Sequence, residues 1–572
     1  MQTAESKRTL AAWLVAFFLV VFGAKLWTIQ LWATNLPFWD QWDEARLLFQ
    51  PWLEGNLSWR DFFIPHNEHR IVFTRLLDLW EVKLNGQWDI YLQTVVNAVL
   101  HTSYGCGLAT VCWHFTGRRR AGLICFLFAP FFALPFAAEN AIHGFQSQFY
   151  FTNLFSSLAI LGLGFAKPCG KFWFAGLLAA VCAIFTMASG FLAAAAVVGL
   201  MILRAVKRRG ISREEILTTL CGLAVVALGL AVKVNVAQHA QLQSASVADF
   251  LAKLLENLAW PFGAHAWLLL LTCAPLALVT VKFFRGEFKD PRAAEWLLAL
   301  AGWSLLSALV LAYGRARIAE SNRYFDSLSL LPLVNAAALL VLAREIDFSP
   351  RWKKLALPLA LLWAGLLMVG LVQSARTVAD NYLEGTRGWG LAQVENVRTF
   401  LATGDADFLH RAPLEALPYW SNDWLIGILR QPKLVALLPT EFSAAAKLNV
   451  SSGRGSTAAL WLVDHAVMLL CAGLFLCALL AARELRRPGI SLRTEGLAWV
   501  GVLLVTSSVG MGAIGWRGID RTSYAAGLHK KLAVVFASSG RMPDALVHLQ
   551  AALRLLPGDA EAQKEMEILQ AR

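Results

Sequence analysis

Apolar runs of roughly twenty residues, each closed by a short polar or basic segment, recur along almost the whole chain. A helix of that length just spans the hydrocarbon of a bilayer, whereas a soluble chain this long breaks into several separately packed domains. The runs lie near 10–32, 91–115, 121–137, 149–166, 172–188, 190–204, 215–236, 259–283, 294–313, 325–343, 355–374, 458–482 and 496–515. They predict an all-α polytopic transmembrane helical bundle of about thirteen spans. The charge content agrees: 16% of the 572 residues are charged and 57% are apolar, against about 25% charged in soluble domains. Ser189 and Gly190 interrupt the stretch 172–204, which predicts a tight hairpin at that point.

The net charge of +12 would suit a nucleic-acid binder only if the basic residues shared one soluble face. They fall instead in clusters at every second loop: Lys7 and Arg8, Arg118 to Arg120, Lys167 and Lys171, Arg204 with Lys207 to Arg209, Lys289 and Arg292, Lys353 and Lys354, Arg486 and Arg487. Such clusters orient membrane helices, so nucleic acid is excluded as a partner and membrane lipid is expected. The pattern predicts a multi-pass protein of the bacterial inner (cytoplasmic) membrane, with a cytoplasmic N-terminus, an uncleaved first span and a periplasmic C-terminus. All nine cysteines lie in apolar spans or a short basic loop, without a CxxC pair, so neither a disulfide framework nor a thiolate metal site is expected.

On this topology four outer segments carry the chemistry: 33–90, 138–148, 314–324 and 375–457. Residues 1–374 form the transmembrane core, 375–457 a small outer domain, 458–515 two further spans, and 526–571 a terminal helical hairpin with a capping helix. In the first segment Arg70, Thr74, Asp78, Glu81 and Asn85 step by three or four, opposite Val72, Phe73, Leu76, Leu77 and Trp80. That spacing predicts an amphipathic helix lying along the membrane surface. Residues 249–257 repeat it. In 526–559, Leu532, Ala533, Phe536, Ala545, Leu549, Ala552 and Pro557 resemble a tetratricopeptide unit, which implies either packing on the membrane body or a possible protein partner.

Immediately beyond the first span, Trp39-Asp40-Gln41-Trp42-Asp43-Glu44 sets three carboxylates within five residues, followed by Gly55 to Trp59 and by His66-Asn67-Glu68-His69-Arg70. In this order the segments resemble the first outer loop of the GT-C superfamily, membrane glycosyltransferases that use polyprenyl-phosphate sugars. The resemblance covers about the first 100 residues. His66 to His69 stand where aminoarabinose-transferase-like members carry a Pro-Pro-containing segment. It implies a GT-C-like core and an inverting transfer of sugar from a polyprenyl-phosphate-linked donor to an envelope acceptor.

Such a transfer needs a carboxylate to take the hydroxyl proton, while the phosphate leaves as a stable anion. Asp43 is the expected base, Asp40 the next choice, and Glu44 a support for either or a ligand for a cation. Arg315, Arg317 and Arg323, with Tyr324, occupy an outer loop where positive charge is normally scarce, which predicts the donor-phosphate site. His66, Asn67, Glu68, His69, Glu139, His143, Gln146 and Gln148 are the expected substrate-binding groups, with Gln146 and Gln148 facing the same way if extended. His66, Glu68, His69 and Glu139 also have the chemistry to hold a divalent metal cation, although no HExxH-like spacing is present. Lys25, Asp464 and His465 are ionisable groups within apolar spans. Two alternatives stand beside this reading: an O-antigen ligase or polymerase relying on Arg387, Arg398, His410 and Arg411, and a non-enzymatic transporter or scaffold. No Walker loop occurs.

Overall fold

A computed structural model describes residues 2–117, 120–263, 265–318, 321–345, 350–439, 442, 453–485, 521–538 and 540–570. Every named element in it is a helix. Eight helices are long and apolar enough to cross a membrane: Ser6–Trp32, Ile90–Phe115, Ala121–Ile142, Arg213–Ala231, Pro291–Gly314, Asn322–Glu345, Leu355–Thr403 and Ala466–Glu484. Each matches an expected span. Four other expected spans differ for local reasons. The helix Ser147–Phe165 buries Thr152, Asn153, Ser156 and Ser157 along one side, which dilutes its apolar character. The hairpin at Ser189 and Gly190 leaves two shorter helices, Lys171–Ile184 and Leu192–Arg208. Between 259 and 283 the chain breaks into Leu268–Thr272 and Ala274–Arg285. The span expected at 496–515 lies outside the described residues, as do Arg118, Arg119, Arg486 and Arg487.

The helices meet at two chemically different ends. At one end the segment 64–72 is tied to the turns that follow two other helices: Val72 N–H donates to Phe185 O at 3.0 Å, and Arg70 Nε donates to Val232 O at 3.3 Å. At the opposite end, arginines cap helix C-termini. Arg344 donates to Phe115 O at 2.7 Å and Arg292 to Phe165 O at 3.2 Å, completing carbonyls that a helix end leaves free.

Amphipathic helices near the first end are turned the opposite way from those of a water-soluble protein. In Val72–Asn85, Thr74, Arg75, Asp78, Glu81 and Asn85 are buried, whereas Leu76, Trp80 and Leu84 are 46%, 56% and 69% exposed. Val247–Ala259 does the same, burying Lys253 and Asn257 while Val247, Leu251 and Leu255 face outward. A polar face inward and an apolar face outward is the arrangement that a hydrocarbon solvent selects.

Residues 375–438 do not stand apart as a small domain. Val394, Val397, Phe400, Tyr419, Leu425 and Leu429 share one core with Leu36, Trp42, Phe49, Leu79 and Trp88 of the first outer segment. At the C-terminus, the helices Arg521–Ser538, Met542–Leu555 and Ala560–Gln570 bury Leu532, Phe536, Ala545, Leu549 and Ala562 together. This hairpin rests on the 384–403 helix through Lys531–Glu395 at 2.8 Å and Arg541 to Ala402 O at 3.5 Å.

Close packing of Ser147–Phe165 against Lys171–Ile184 depends on Gly162 and Gly176. A Cβ on Gly162 would stand 2.5 Å from the Gly176 Cα. Gly162→Ala therefore lowers the thermal stability of the detergent-solubilised protein by about 1–3 kcal/mol. The same change at Gly107, which has nothing within 4 Å, leaves stability unchanged; equal effects at both would contradict the packing.

Candidate functional site

Segment 33–90 is fixed by a charge pair before any reactive group is placed. Glu44 and Arg75 are both fully buried. Arg75 Nε donates to the two carboxylate oxygens at 3.1 and 3.0 Å, and its Nη1 reaches the Asp61 carbonyl at 3.3 Å. One guanidinium thus joins the acidic turn, the 61–64 turn and the Val72–Asn85 helix. Glu44, expected as support for the base or as a cation ligand, is taken up by this pair.

Asp40 and Asp43 stand on the same turn in different surroundings. Asn67 Nδ2 donates to Asp40 Oδ2 at 3.1 Å, and His66 Nε2 lies 3.6 Å from the same oxygen. Burial pushes the Asp40 carboxyl up, but His66, Arg323 and Asn67 outweigh it and hold it below the usual carboxylate range. Asp43 accepts a hydrogen bond from the Tyr419 hydroxyl at 2.6 Å. Burial, reinforced by the charges of Asp40 and Glu44, pushes Asp43 above the ordinary range against the pull of Tyr419 and His66. Two neighbouring carboxyls are thereby set apart, one held ionised and one with raised proton affinity.

His66 and His69 exchange backbone hydrogen bonds of 2.8 and 2.9 Å, with Asn67 at the tip in the left-handed region at φ 49°. The turn aims His66 at Asp40 and at the edge of Phe145, whose ring lies 4.9 Å away. His69 points elsewhere. Its Nδ1 accepts the Ala188 N–H at 3.0 Å, and burial pushes its pKa down to about 4. Glu68 holds Arg315 at 2.7 Å and His239 at 2.6 Å. Although burial opposes it, those partners pull the Glu68 carboxyl down to about 2.

The other wall comes from 139–148 and 321–326. Arg323 Nη2 lies 3.0 Å from Glu139 Oε1, with the arginine side chain still 41% exposed; Asp40 is among its electrostatic neighbours. Two asparagines staple the wall: Glu139 N–H donates to Asn322 Oδ1 at 2.8 Å, and Asn140 Nδ2 donates to Arg323 O at 2.7 Å and Asp326 Oδ2 at 2.9 Å. His143 stacks on Phe38 at 4.2 Å and meets the Tyr382 hydroxyl at 3.2 Å; burial pushes its pKa down to about 3.

The remaining expected groups are less central. Gln148 Nε2 donates to Gln146 Oε1 at 3.2 Å, so the two amides do face each other. Both are buried, however, and Gln148 is also joined to Thr74 at 3.4 Å. Arg315 donates to the Tyr324 hydroxyl at 3.3 Å, while Arg317 is exposed and bonds through its backbone to Leu242 O at 3.2 Å. Lys25 is buried beside the Tyr150 ring, 5.8 Å from its centre. His410 lies 3.9 Å from Asp423, and Arg411 pairs with Asp407.

The structure thus brings Asp40, Asp43, His66, Asn67, Glu139, His143 and Arg323 into one neighbourhood. It adds Arg75, Tyr382 and Tyr419, which sequence reasoning did not single out. No local signal links Tyr419 to Asp43 across 376 positions. Among the described residues, no three His, Cys, Asp or Glu side chains form a metal ligand set: Glu68, Glu139 and His69 are each engaged as given above. No family model, curated protein or solved structure matches the chain.

Arg75→Met leaves Glu44 buried without its counter-charge and lowers stability by about 3–5 kcal/mol, whereas Arg75→Met with Glu44→Leu recovers most of the loss. Unfolding of all three proteins in detergent reads this directly, and an additive double variant would contradict it. A second outcome concerns Glu81, buried and pushed up by burial, against the pull of Gln93, from 4.5 to about 8. The folded chain keeps a proton that the unfolded chain releases above pH 4.5, so this contribution to stability falls as pH rises toward 8 and then levels. Glu81→Gln removes that slope in melting curves between pH 5 and 9; an unchanged slope would contradict it.

Proposed function

We propose that the chain is a membrane glycosyltransferase of the GT-C type, transferring a sugar from a polyprenyl-phosphate carrier to a cell-envelope acceptor at the outer face of a bacterial inner membrane. On this reading the bundle has about thirteen spans, the C-terminal hairpin is periplasmic and tetratricopeptide-like, and that hairpin is free to recruit a partner protein. The observation that carries the proposal is the meeting of Asp40, His66, Glu139 and Arg323, drawn from three separate segments of the chain. Acids with a half-open guanidinium, at the ends of apolar helices, suit a ligand with a phosphate head and a hydrocarbon tail.

In the proposed step an acceptor hydroxyl oxygen attacks the anomeric carbon, and the bond from that carbon to the phosphate oxygen breaks. Its electron pair leaves with the phosphate, which Arg323 holds after exchanging Glu139 for the new anion. The hydroxyl proton passes to Asp43, whose raised proton affinity suits a base working near neutrality. Asp40, held ionised by His66 and Asn67, keeps the negative charge that a developing positive sugar ring needs. His66 supports Asp40, and His143 is held by Phe38 and Tyr382 beside the Arg323 wall. No feature of the His410 and Arg411 pairs favours the ligase alternative.

Membranes carrying the protein, supplied with polyprenyl-phosphate sugar and an envelope extract, test this reading. Asp43→Asn lowers transfer by about 10²–10⁴-fold in a chain that still inserts and melts normally, and His410→Ala does not. The acid limb of the rate profile follows Asp43 and lies above pH 3.8, its ordinary value. Full transfer by the Asp43→Asn and Asp40→Asn variants would remove both acids as the base, and no transfer dependent on the protein would leave a scaffold or transporter in place of the enzyme.

A further inference from the structure

Beside the two acids, exposed indoles come from the acidic turn and from the 418–424 segment bonded to it. Trp39, Trp420 and Trp424 are 38%, 52% and 44% exposed. The strip is held together: Trp39 N–H donates to Pro418 O at 2.6 Å, the rings of Tyr419 and Trp420 lie 5.3 Å apart, and Tyr419 reaches Asp43 at 2.6 Å. Arg46 lies 4.1 Å over one face of Trp424.

Trp39 itself is strained. Its φ of 48° puts a bulky residue in the left-handed region, which persists only where the surroundings impose it. The strain presents a large apolar ring to solvent one residue before Asp40. The ring is tilted against Phe38, with centroids 6.1 Å apart, and keeps 38% of its surface open beside the acids.

We propose that Trp39 and Trp420, flanked by Trp424, form the acceptor subsite of the sugar-transfer reaction proposed above, and that the acceptor is a glycan. Sugar rings offer C–H faces that lie flat on indoles and hydroxyls that bond to carboxylates. The strip supplies both, with Asp40 and Asp43 beside it. A bilayer is the other surface that takes exposed tryptophan, but interfacial tryptophans sit among groups that tolerate anionic head groups. Here Asp40, Asp43 and the 89% exposed Asp423 stand among the indoles, and Arg46 is engaged by Trp424. The inference rests on the sugar-transfer reading and fixes the class of its acceptor.

The test uses the full chain in nanodiscs, presented to an array of bacterial surface oligosaccharides. Binding to at least one glycan is expected, reduced about tenfold or more by Trp420→Ala. Trp39→Gly loses the same binding while its melting temperature holds or rises, because glycine adopts this φ freely. No tryptophan-dependent binding anywhere on the array overturns the subsite. In nanodiscs with brominated acyl chains, the fluorescence removed by Trp420→Ala is unquenched; strong quenching assigns the strip to the bilayer and overturns the proposal. Binding of undecaprenyl phosphate, measured in parallel and lost in Arg323→Ala, separates the two readings. Glycan binding without lipid-phosphate binding supports the subsite and sinks the transferase, and the converse sinks the subsite alone.

Discussion

One buried ion pair sets the geometry of everything at the loop-rich end. Glu44 and Arg75 are both without solvent contact, so each is tolerable only in the presence of the other. The pair locks the acidic turn to the Val72–Asn85 helix. With Glu44 held in place, the same turn carries Asp40 and Asp43, four residues and one residue before it. The polar neighbours continue inward: Gln41 donates to Gln93 at 2.7 Å, and Gln93 to Asp78 at 2.9 Å. The site therefore stands on a polar foundation sunk into a largely apolar bundle, an arrangement that is retained where orientation matters more than burial.

The solvent explains why some of this was readable in sequence and some was not. Uniformly apolar stretches such as Ser6–Trp32 and Ala121–Ile142 announce themselves because hydrocarbon demands them along their whole length. Ser147–Phe165 announced a span as well, but its buried Asn153, Ser156 and Ser157 show a helix whose polar side faces other helices. The amphipathic period of Val72–Asn85 was legible; which face turned inward was not, since period alone carries no sign. Only the outward Leu76, Trp80 and Leu84 settle it.

The candidate site divides the same way. Asp40, Asp43, His66, Glu139 and Arg323 stood out because charge beside an apolar span is unusual. Their meeting depends on Asn140 and Asn322, ordinary polar residues whose importance lies in the distances they close. Tyr419 reaches Asp43 from a segment that looked like an independent domain. Glu44 looked like a third reactive carboxylate because its buried counter-charge, Arg75, lies 31 positions away. Glu68 and Arg315, each a candidate for substrate, satisfy one another instead. What a single sequence conceals is pairing, because pairing is decided by the fold.

Arg323 is answered by Glu139, the carboxylate that a lipid-borne phosphate replaces in the proposed transfer. A cryo-electron-microscopy map of the full chain in nanodiscs, with and without undecaprenyl phosphate, examines this exchange directly. Phosphate density is expected against the Arg323 guanidinium, within reach of the Asp40 and Asp43 turn, with Glu139 displaced. Phosphate density at the opposite, arginine-capped end, with Arg323 still joined to Glu139, would contradict it.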